Sequence, residues 1–188
     1  QAVVLAGNHG ICAQGVSPFP QDVTAQMVAN FAAGGAAINQ LCAANGAELN
    51  VVPISLETPT ADFTKKEALS EDDLCVDMSS GAHAVNYNTD ILLLGEMGIG
   101  NSTVSSALAA SVFGGDVARW VGAGTGSDEA GIARKQAVIE QGLKIHGSRP
   151  DLTALLAFGG REQAAICGAV LAARMARVPV ILDGFICS

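Results

Sequence analysis

The sequence predicts an α/β protein of three layers, in which helices cover both faces of a mostly parallel, doubly wound sheet. Short apolar runs without alternation are separated by longer segments of helical periodicity, a pattern typical of buried parallel strands joined by crossover helices. Glycine-rich turns follow several of the apolar runs. Apolar residues make up 49% of the 188 residues and charged residues 15%, which excludes a disordered chain.

Five apolar runs are predicted as strands. Each is short and continuously apolar, and the first is followed at once by Gly7, a typical end for a buried strand. The predicted strands are residues 2–6, 49–54, 91–94, 117–121 and 178–182.

Six segments between these runs carry helical signals. Residues 22–44 are predicted as one helix, because apolar side chains recur at near-helical spacing and Asn45-Gly46 is a typical helix stop. Three acids after Ser70 suit the positive end of a helix dipole. The other predicted helices are residues 70–85, 102–112, 127–146, 151–157 and 161–177.

The length predicts a single domain, an α/β nucleotide-binding core over residues 1–188. Since the sequence begins and stops beside predicted strands, we expect a piece of a longer chain. A formal charge of −8 argues against nucleic acid or an anionic membrane as partner, and no apolar run reaches the ~20 residues of a bilayer span. Five cysteines without Cys-x-x-Cys spacing predict reduced thiols in the cytoplasm and no structural zinc.

Two glycine-rich turns are the main candidates for a ligand site. Residues 95–103 lead from a predicted strand into a helix, where backbone N–H groups can bind an anion. This turn is neither a P-loop nor a Gly-x-Gly-x-x-Gly fingerprint, and Glu96 within it is unusual for a site that binds only phosphate. Gly122 and Gly124 belong to a second turn, after the next predicted strand. We expect both turns to meet in one crevice, which suits a phosphorylated, ribose-bearing ligand.

Four other side chains are weaker candidates. His9 follows the first strand, although a lone histidine is more often structural. Asp183 follows the last strand and could either hold a ribose hydroxyl or tie a loop. Phe19 could stack on a planar ligand or fill its own loop. Lys135 could neutralise a phosphate, although its spacing alone favours a solvated helix face.

Six strings of residues, taken together, resemble the nicotinate-nucleotide:dimethylbenzimidazole phosphoribosyltransferases, which act in assembly of the cobalamin nucleotide loop. The strings extend over nearly the whole chain and keep the order found in the family. Those at 95–103 and 179–185 are the most specific. The six strings are residues 7–10, 23–28, 34–39, 95–103, 159–162 and 179–185.

The resemblance implies transfer of phosphoribose from nicotinate mononucleotide to 5,6-dimethylbenzimidazole, which yields nicotinate and α-ribazole 5′-phosphate with inversion at the anomeric carbon. It also implies a cytoplasmic homodimer that needs no metal or redox cofactor. The family fold is a parallel α/β core with a small helical domain, and we expect that domain to be missing here. The alternatives are a non-catalytic nucleotide-binding homologue and an enzyme that uses another azole or a phenol as acceptor.

The resemblance also assigns residues by position. Glu96 matches the active-site glutamate of the family, and Lys135 matches a phosphate-binding lysine. Met97 and Gly98 fall in the nucleotide site, whereas Phe19 and Met27 fall at the benzimidazole pocket. Gly159, Gly160 and Glu162 belong to the nicotinate side. The full substrate-binding set that we predict is His9, Phe19, Met27, Met97, Gly98, Gly122, Gly124, Lys135, Gly159, Gly160, Glu162 and Asp183.

The sequence departs from the family in three places. Asn8 stands where many members have aspartate, so a carboxylate role is lost there. The family's Pro-Gly-Ser-Leu segment is not in this sequence. The family's catalytic base, a glutamate in a Gly-Glu-Gly-type motif, is expected beyond Ser188.

Overall fold

A computed structural model describes all 188 residues. Its sheet has four strands, all parallel, in the order β2-β1-β3-β4. This arrangement, with helices packed around it, confirms the predicted parallel α/β class. The strands are β1 (Ala2–Ala6), β2 (Leu49–Pro53), β3 (Leu92–Met97) and β4 (Val180–Leu182).

Eight α-helices and two short 3₁₀-helices (Gly10–Gln14 and Val117–Arg119) accompany the sheet. None of the helices is both long enough and apolar enough to cross a membrane. The α-helices are α1 (Val23–Ala32), α2 (Ala37–Asn45), α3 (Glu71–His83), α4 (Asn101–Phe113), α5 (Glu129–His146), α6 (Thr153–Phe158), α7 (Arg161–Ala176) and α8 (Gly184–Cys187).

The central strand β1 is buried along its whole length. Because successive side chains point to opposite faces of a sheet, Val3 and Leu5 pack into the core beneath α3 and α7, whereas Val4 packs with Phe31 of α1. Helices therefore cover both faces over β1 and β2. Coverage is thinner towards β4, where Ile181 is 48% exposed.

A second core lies among α4, α5 and α6, outside the sheet. Its buried residues include Phe63, Ile139 and Phe158, and the Phe63 and Phe158 rings meet edge to face with their centroids 5.6 Å apart. Such aromatic pairs add about 1 kcal/mol beyond the area that they bury. This core fixes α4 and α5, the two helices that carry much of the candidate site.

Two glycines let α3 and α7 pack with almost no space between their backbones. A Cβ atom on Gly81 would overlap the backbone of Ala165, and one on Gly168 would overlap the backbone of Met78. The glycine content of these helices therefore reflects the close packing of α7 on α3, which sets the position of the α7 N-terminus.

The prediction of a strand at residues 117–121 is wrong, since the segment forms the 3₁₀-helix Val117–Arg119. The Asp116 carboxylate accepts a backbone N–H in the first turn, 3.0 Å away. The indole of Trp120 donates to the Gly114 carbonyl oxygen at 2.9 Å. These local hydrogen bonds compete with strand pairing, and the apolar run alone did not reveal them.

The single helix predicted for residues 22–44 is divided into α1 and α2. Gly34 between them has a φ of +78°. The Asn39 side chain accepts the N–H of Ala36 and donates to the carbonyl oxygen of Phe31, so one amide caps both helix ends. The other five predicted helices are confirmed, with ends that differ by at most two residues.

We predict that Gly168→Ala lowers the free energy of unfolding by about 2 kcal/mol, because the added methyl group must push α7 away from α3. Urea unfolding followed by circular dichroism measures this change. Gly122→Ala is the control: its added methyl group would meet open space, so stability should change by less than about 0.5 kcal/mol. Equal effects of both variants would contradict the close-packing interpretation.

Candidate functional site

A cavity of about 310 Å³ opens at the carboxyl end of β3, where ligands bind in parallel α/β proteins. Four parts of the chain converge on it: the loop before α1, the end of β3 with the start of α4, helix α5 with the loop that leads into it, and α8. Its lining comprises residues 16–18, 96–102, 124, 125, 127, 135, 185 and 186.

Glu96 projects into this cavity from the end of strand β3 rather than from the turn that follows. The side-chain amide of Asn101, in the first turn of α4, donates to its carboxylate. Burial raises the pKa of Glu96 from its usual 4.5 to about 7, and the nearby Glu162 adds to that increase. A carboxyl group in this position changes its protonation state near neutral pH.

Lys135 is the cation of the cavity. It lies on α5, is 3% exposed and has no carboxylate partner. Its Nζ donates long hydrogen bonds of 3.4 Å to the Ser102 hydroxyl and to the Gly122 carbonyl oxygen. Desolvation lowers the pKa of its ammonium group. A buried ammonium with such weak partners is a ready site for an anion.

The turn between β3 and α4 is held by side chains from two other segments. The Thr24 hydroxyl, fully buried on α1, accepts the N–H of Ile99 at 3.1 Å. The Cys12 thiol donates to the Ile99 carbonyl oxygen at 3.0 Å. At Gly100, with a φ of +92°, a Cβ atom would come within 2.7 Å of the Cys12 sulfur. Only glycine fits at position 100. This residue is the N-cap of α4 and lines the cavity.

His9 and Glu162 do not line the cavity but lie behind it. His9 Nε2 is 2.9 Å from Glu162 Oε1, and both side chains are fully buried. The two atoms are at ion-pair distance without hydrogen-bond alignment, and neither carboxylate oxygen has another protein partner. The pair joins the loop after β1 to the first turn of α7.

Three glycines of the predicted motifs surround this buried pair. A Cβ atom on Gly98 would lie 2.8 Å from His9 Nε2 and 3.2 Å from Glu162 Oε1, and Cβ atoms on Gly7 or Gly160 would collide with the Glu162 carboxylate. These glycines therefore make room for a buried carboxylate. The sequence predicted ligand contacts for Gly98 and Gly160 but gave no sign of this second role.

The structure also places the other predicted residues. Gly124 lines the cavity, and Gly159 lies before α7 with its N–H bonded to the Leu155 carbonyl oxygen. Asp183 is exposed at the start of α8, close enough to Glu96 to raise the pKa of that group further. Phe19 is 46% exposed outside the cavity lining, and Met27 packs against the core between α1 and the sheet.

Asn8 has a structural contact that explains why an amide fits there. Its side-chain Nδ2 donates to the Leu56 carbonyl oxygen at 3.0 Å, and its backbone carbonyl oxygen accepts the N–H of Thr60. An ionised aspartate could not donate the first of these bonds. Asn8 therefore ties the loop after β1 to the loop after β2.

Sequence reasoning missed several residues of the site. Asn101 and Ser102 stand within the specific 95–103 string, so their place at a helix start was the available signal. Thr24 stands within another string, at 23–28, but nothing in the local pattern indicated its contact with Ile99. The short helix α8, whose Phe185 lines the cavity, was not predicted.

A parallel sheet with a buried cation and a titrating carboxyl group at its carboxyl edge has the features of an α/β protein whose site suits a small anionic ligand. The whole chain, residues 1–188, matches the sequence model of a family described as phosphoribosyltransferase. The chain belongs to this phosphoribosyltransferase family, which confirms the resemblance seen in its motifs.

Individual relatives agree with this assignment. The chain is 58% identical over 186 residues to the nicotinate-nucleotide–dimethylbenzimidazole phosphoribosyltransferase of Rhodobacter capsulatus, covering 99% of this chain and 56% of the relative. It is 57% identical over 188 residues to the enzyme of that name from Roseobacter denitrificans, and the match covers 100% of this chain and 56% of that relative. The crystal structure of CobT from Thermus thermophilus is similar, with a TM-score of 0.89 at 34% identity, over 99% of this chain and 62% of that one.

The chain thus spans a little over half the length of the curated relatives that it matches. The role of residues 1–188 as a nucleotide-binding core stays a prediction.

We predict that Glu96→Gln stabilises the protein at pH 8 and not at pH 4.5. The native state holds the Glu96 proton up to a pH of about 7 because the pKa is raised, whereas the unfolded chain releases it near 4.5. The free energy of unfolding therefore falls as pH rises between these two values. The variant has no carboxyl group at position 96, so its free energy of unfolding does not fall for this reason. Urea unfolding should show a gain of at least about 1 kcal/mol at pH 8.

The control for this experiment is Glu57→Gln, which removes an exposed carboxylate. Its stability should follow that of the unmodified protein at both pH values. A gain for Glu96→Gln that is equal at pH 4.5 and pH 8 would contradict a raised pKa at this position.

Proposed function

We propose that the protein transfers phosphoribose from nicotinate mononucleotide to 5,6-dimethylbenzimidazole, releasing nicotinate and forming α-ribazole 5′-phosphate. The observation that carries the proposal is that Lys135 and Glu96, a buried cation and a titrating carboxyl group, line one cavity. The names of relatives that are 57–58% identical to this chain support it.

The phosphate is proposed to bind beside Lys135. Its ammonium group has only two long hydrogen bonds to neutral oxygens, so a phosphate oxygen would replace weak partners by a charge-assisted bond. The backbone N–H groups of Gly98 and Gly100 have no acceptor in the protein. Both glycines line the cavity at the start of α4, where the helix dipole adds to the attraction for an anion.

Glu96 is proposed to act on the ribose. When the bond from the anomeric carbon to the nicotinate nitrogen breaks, its electron pair leaves with nicotinate and positive charge develops on the sugar. The ionised Glu96 carboxylate can stabilise that charge within a partly desolvated cavity. The attacking azole nitrogen must also lose a proton to a base, and the family resemblance assigns this step to a glutamate in a Gly-Glu-Gly-type motif.

The remaining assignments are proposals of the same kind. Met97, Gly98 and Gly124 would contact the nucleotide from the cavity wall. Phe19 would contact the acceptor base only if the exposed loop around it folds over the ligand. A homodimer and a cytoplasmic location also belong to the proposal.

We predict that Lys135→Met weakens nicotinate mononucleotide binding by about tenfold or more, because a charged hydrogen bond to the phosphate is lost. Isothermal titration calorimetry measures the affinity. The same variant should bind nicotinate riboside, which has no phosphate, as the unmodified protein does.

Lys144→Met is the matched control, since Lys144 is an exposed lysine on the same helix. It should leave both affinities unchanged. Equal losses for the nucleotide and the riboside in Lys135→Met would contradict phosphate binding by Lys135. If the unmodified protein bound no nicotinate mononucleotide, the proposed function itself would be wrong.

A further inference from the structure

The buried pair of His9 and Glu162 has no part in the steps above. Neither side chain reaches the cavity surface, and the Glu162 carboxylate has the His9 ring nitrogen 2.9 Å away and no hydrogen-bond donor. Burying a carboxylate costs several kcal/mol unless it is well paired. An apolar side chain of similar volume at position 162 would be at least as stable, so stability does not explain the carboxylate.

The surrounding backbone is shaped to hold this carboxylate. Gly7, Gly98 and Gly160 come from three different loops, and each would contact or overlap the pair if it carried a Cβ atom. Two of these loops follow β1 and β3, and the third begins α7. Three independent segments thus keep open the space for one carboxyl group behind the cavity.

The pair lies on the side of the sheet towards which Glu96 points. Leu92 and Leu94 pack into the core beneath α7, and by strand alternation Glu96 projects from the same face of β3. Glu162 raises the pKa of Glu96 and His9 lowers it. The two members of the pair therefore shift the pKa of Glu96 in opposite directions.

The other groups that face Glu96 come from each neighbouring element. Asp183, before α8, raises the pKa of Glu96, and the amide of Asn101 on α4 lowers it. The Cys187 thiol of α8 is close enough for Glu96 to help raise its pKa, which reaches about 12. Lys135 of α5 lines the same cavity as Glu96.

We propose that His9 and Glu162 are positioning residues for Glu96. Glu162 places a second carboxyl group behind Glu96, and His9 lies against that group. Together the two side chains set the protonation state in which Glu96 faces the ligand. The identity of that ligand rests on the proposed function, whereas the control of Glu96 by the pair does not depend on it.

Carboxyl-detected ¹³C NMR of the 188-residue chain tests this control. The Glu96 resonance is assigned by its loss in Glu96→Gln, and its titration midpoint is then measured in variants of the pair. Glu162→Gln removes a negative charge and should move the midpoint to lower pH by about half a unit or more. His9→Gln removes the offsetting group and should move it to higher pH.

A structural role alone would disturb Glu96 in the same direction in both variants. An unchanged midpoint in Glu162→Gln, or equal shifts in the two variants, would therefore overturn the inference. Glu71→Gln is the matched control, because Glu71 is also an acid in the first turn of a helix but is exposed. The Glu96 midpoint should not move in this control. Far-UV circular dichroism checks that each variant is folded, and His9→Gln tests the inference separately if Glu162→Gln is not.

Calorimetry on the unmodified protein separates this inference from the proposed function. Opposite NMR shifts without binding of nicotinate mononucleotide would leave the role of the pair intact and overturn the proposed function. Binding of the nucleotide with unshifted midpoints would overturn the role of the pair alone.

Discussion

The parallel pairing of β1 with β3 is the interaction on which the site depends. Leu5 lies opposite Glu96 and Ala6 opposite Met97, and the N–H of Gly7 continues the ladder to the Met97 carbonyl oxygen at 3.0 Å. This register brings the loop after β1 against the loop after β3. The positions of the buried His9–Glu162 pair, of the three glycines around it and of the start of α4 all depend on this contact between the two loops.

Much of the fold could be predicted from the sequence because buried strands and amphipathic helices have strong local patterns. Four of the five predicted strands exist, and the parallel class follows from their continuous apolar character. The strand at 117–121 failed because an Asp116 cap and a Trp120 side-chain bond decided its conformation. Such contacts depend on individual side chains, which apolar periodicity does not detect.

The candidate site was only partly predictable for a different reason. Glu96 and Lys135 could be named from the motifs, and the structure places both in one cavity. The relation of His9 to Glu162 joins positions 153 residues apart in the chain, and no local pattern encodes such a contact. Gly7, Gly98 and Gly160 also enclose the Glu162 carboxylate, a contact that the motifs did not reveal.

The exposed charges have a consequence for how fast an anion reaches Lys135. The protein carries a formal charge of −8, and the lysine lies almost wholly beneath the surface. At distances beyond about 10 Å an approaching anion meets a net repulsive field, while the attraction of the ammonium group acts only at short range. Added salt screens the repulsion more than the buried contact, so moderate ionic strength speeds the encounter of this acidic protein with an anionic ligand.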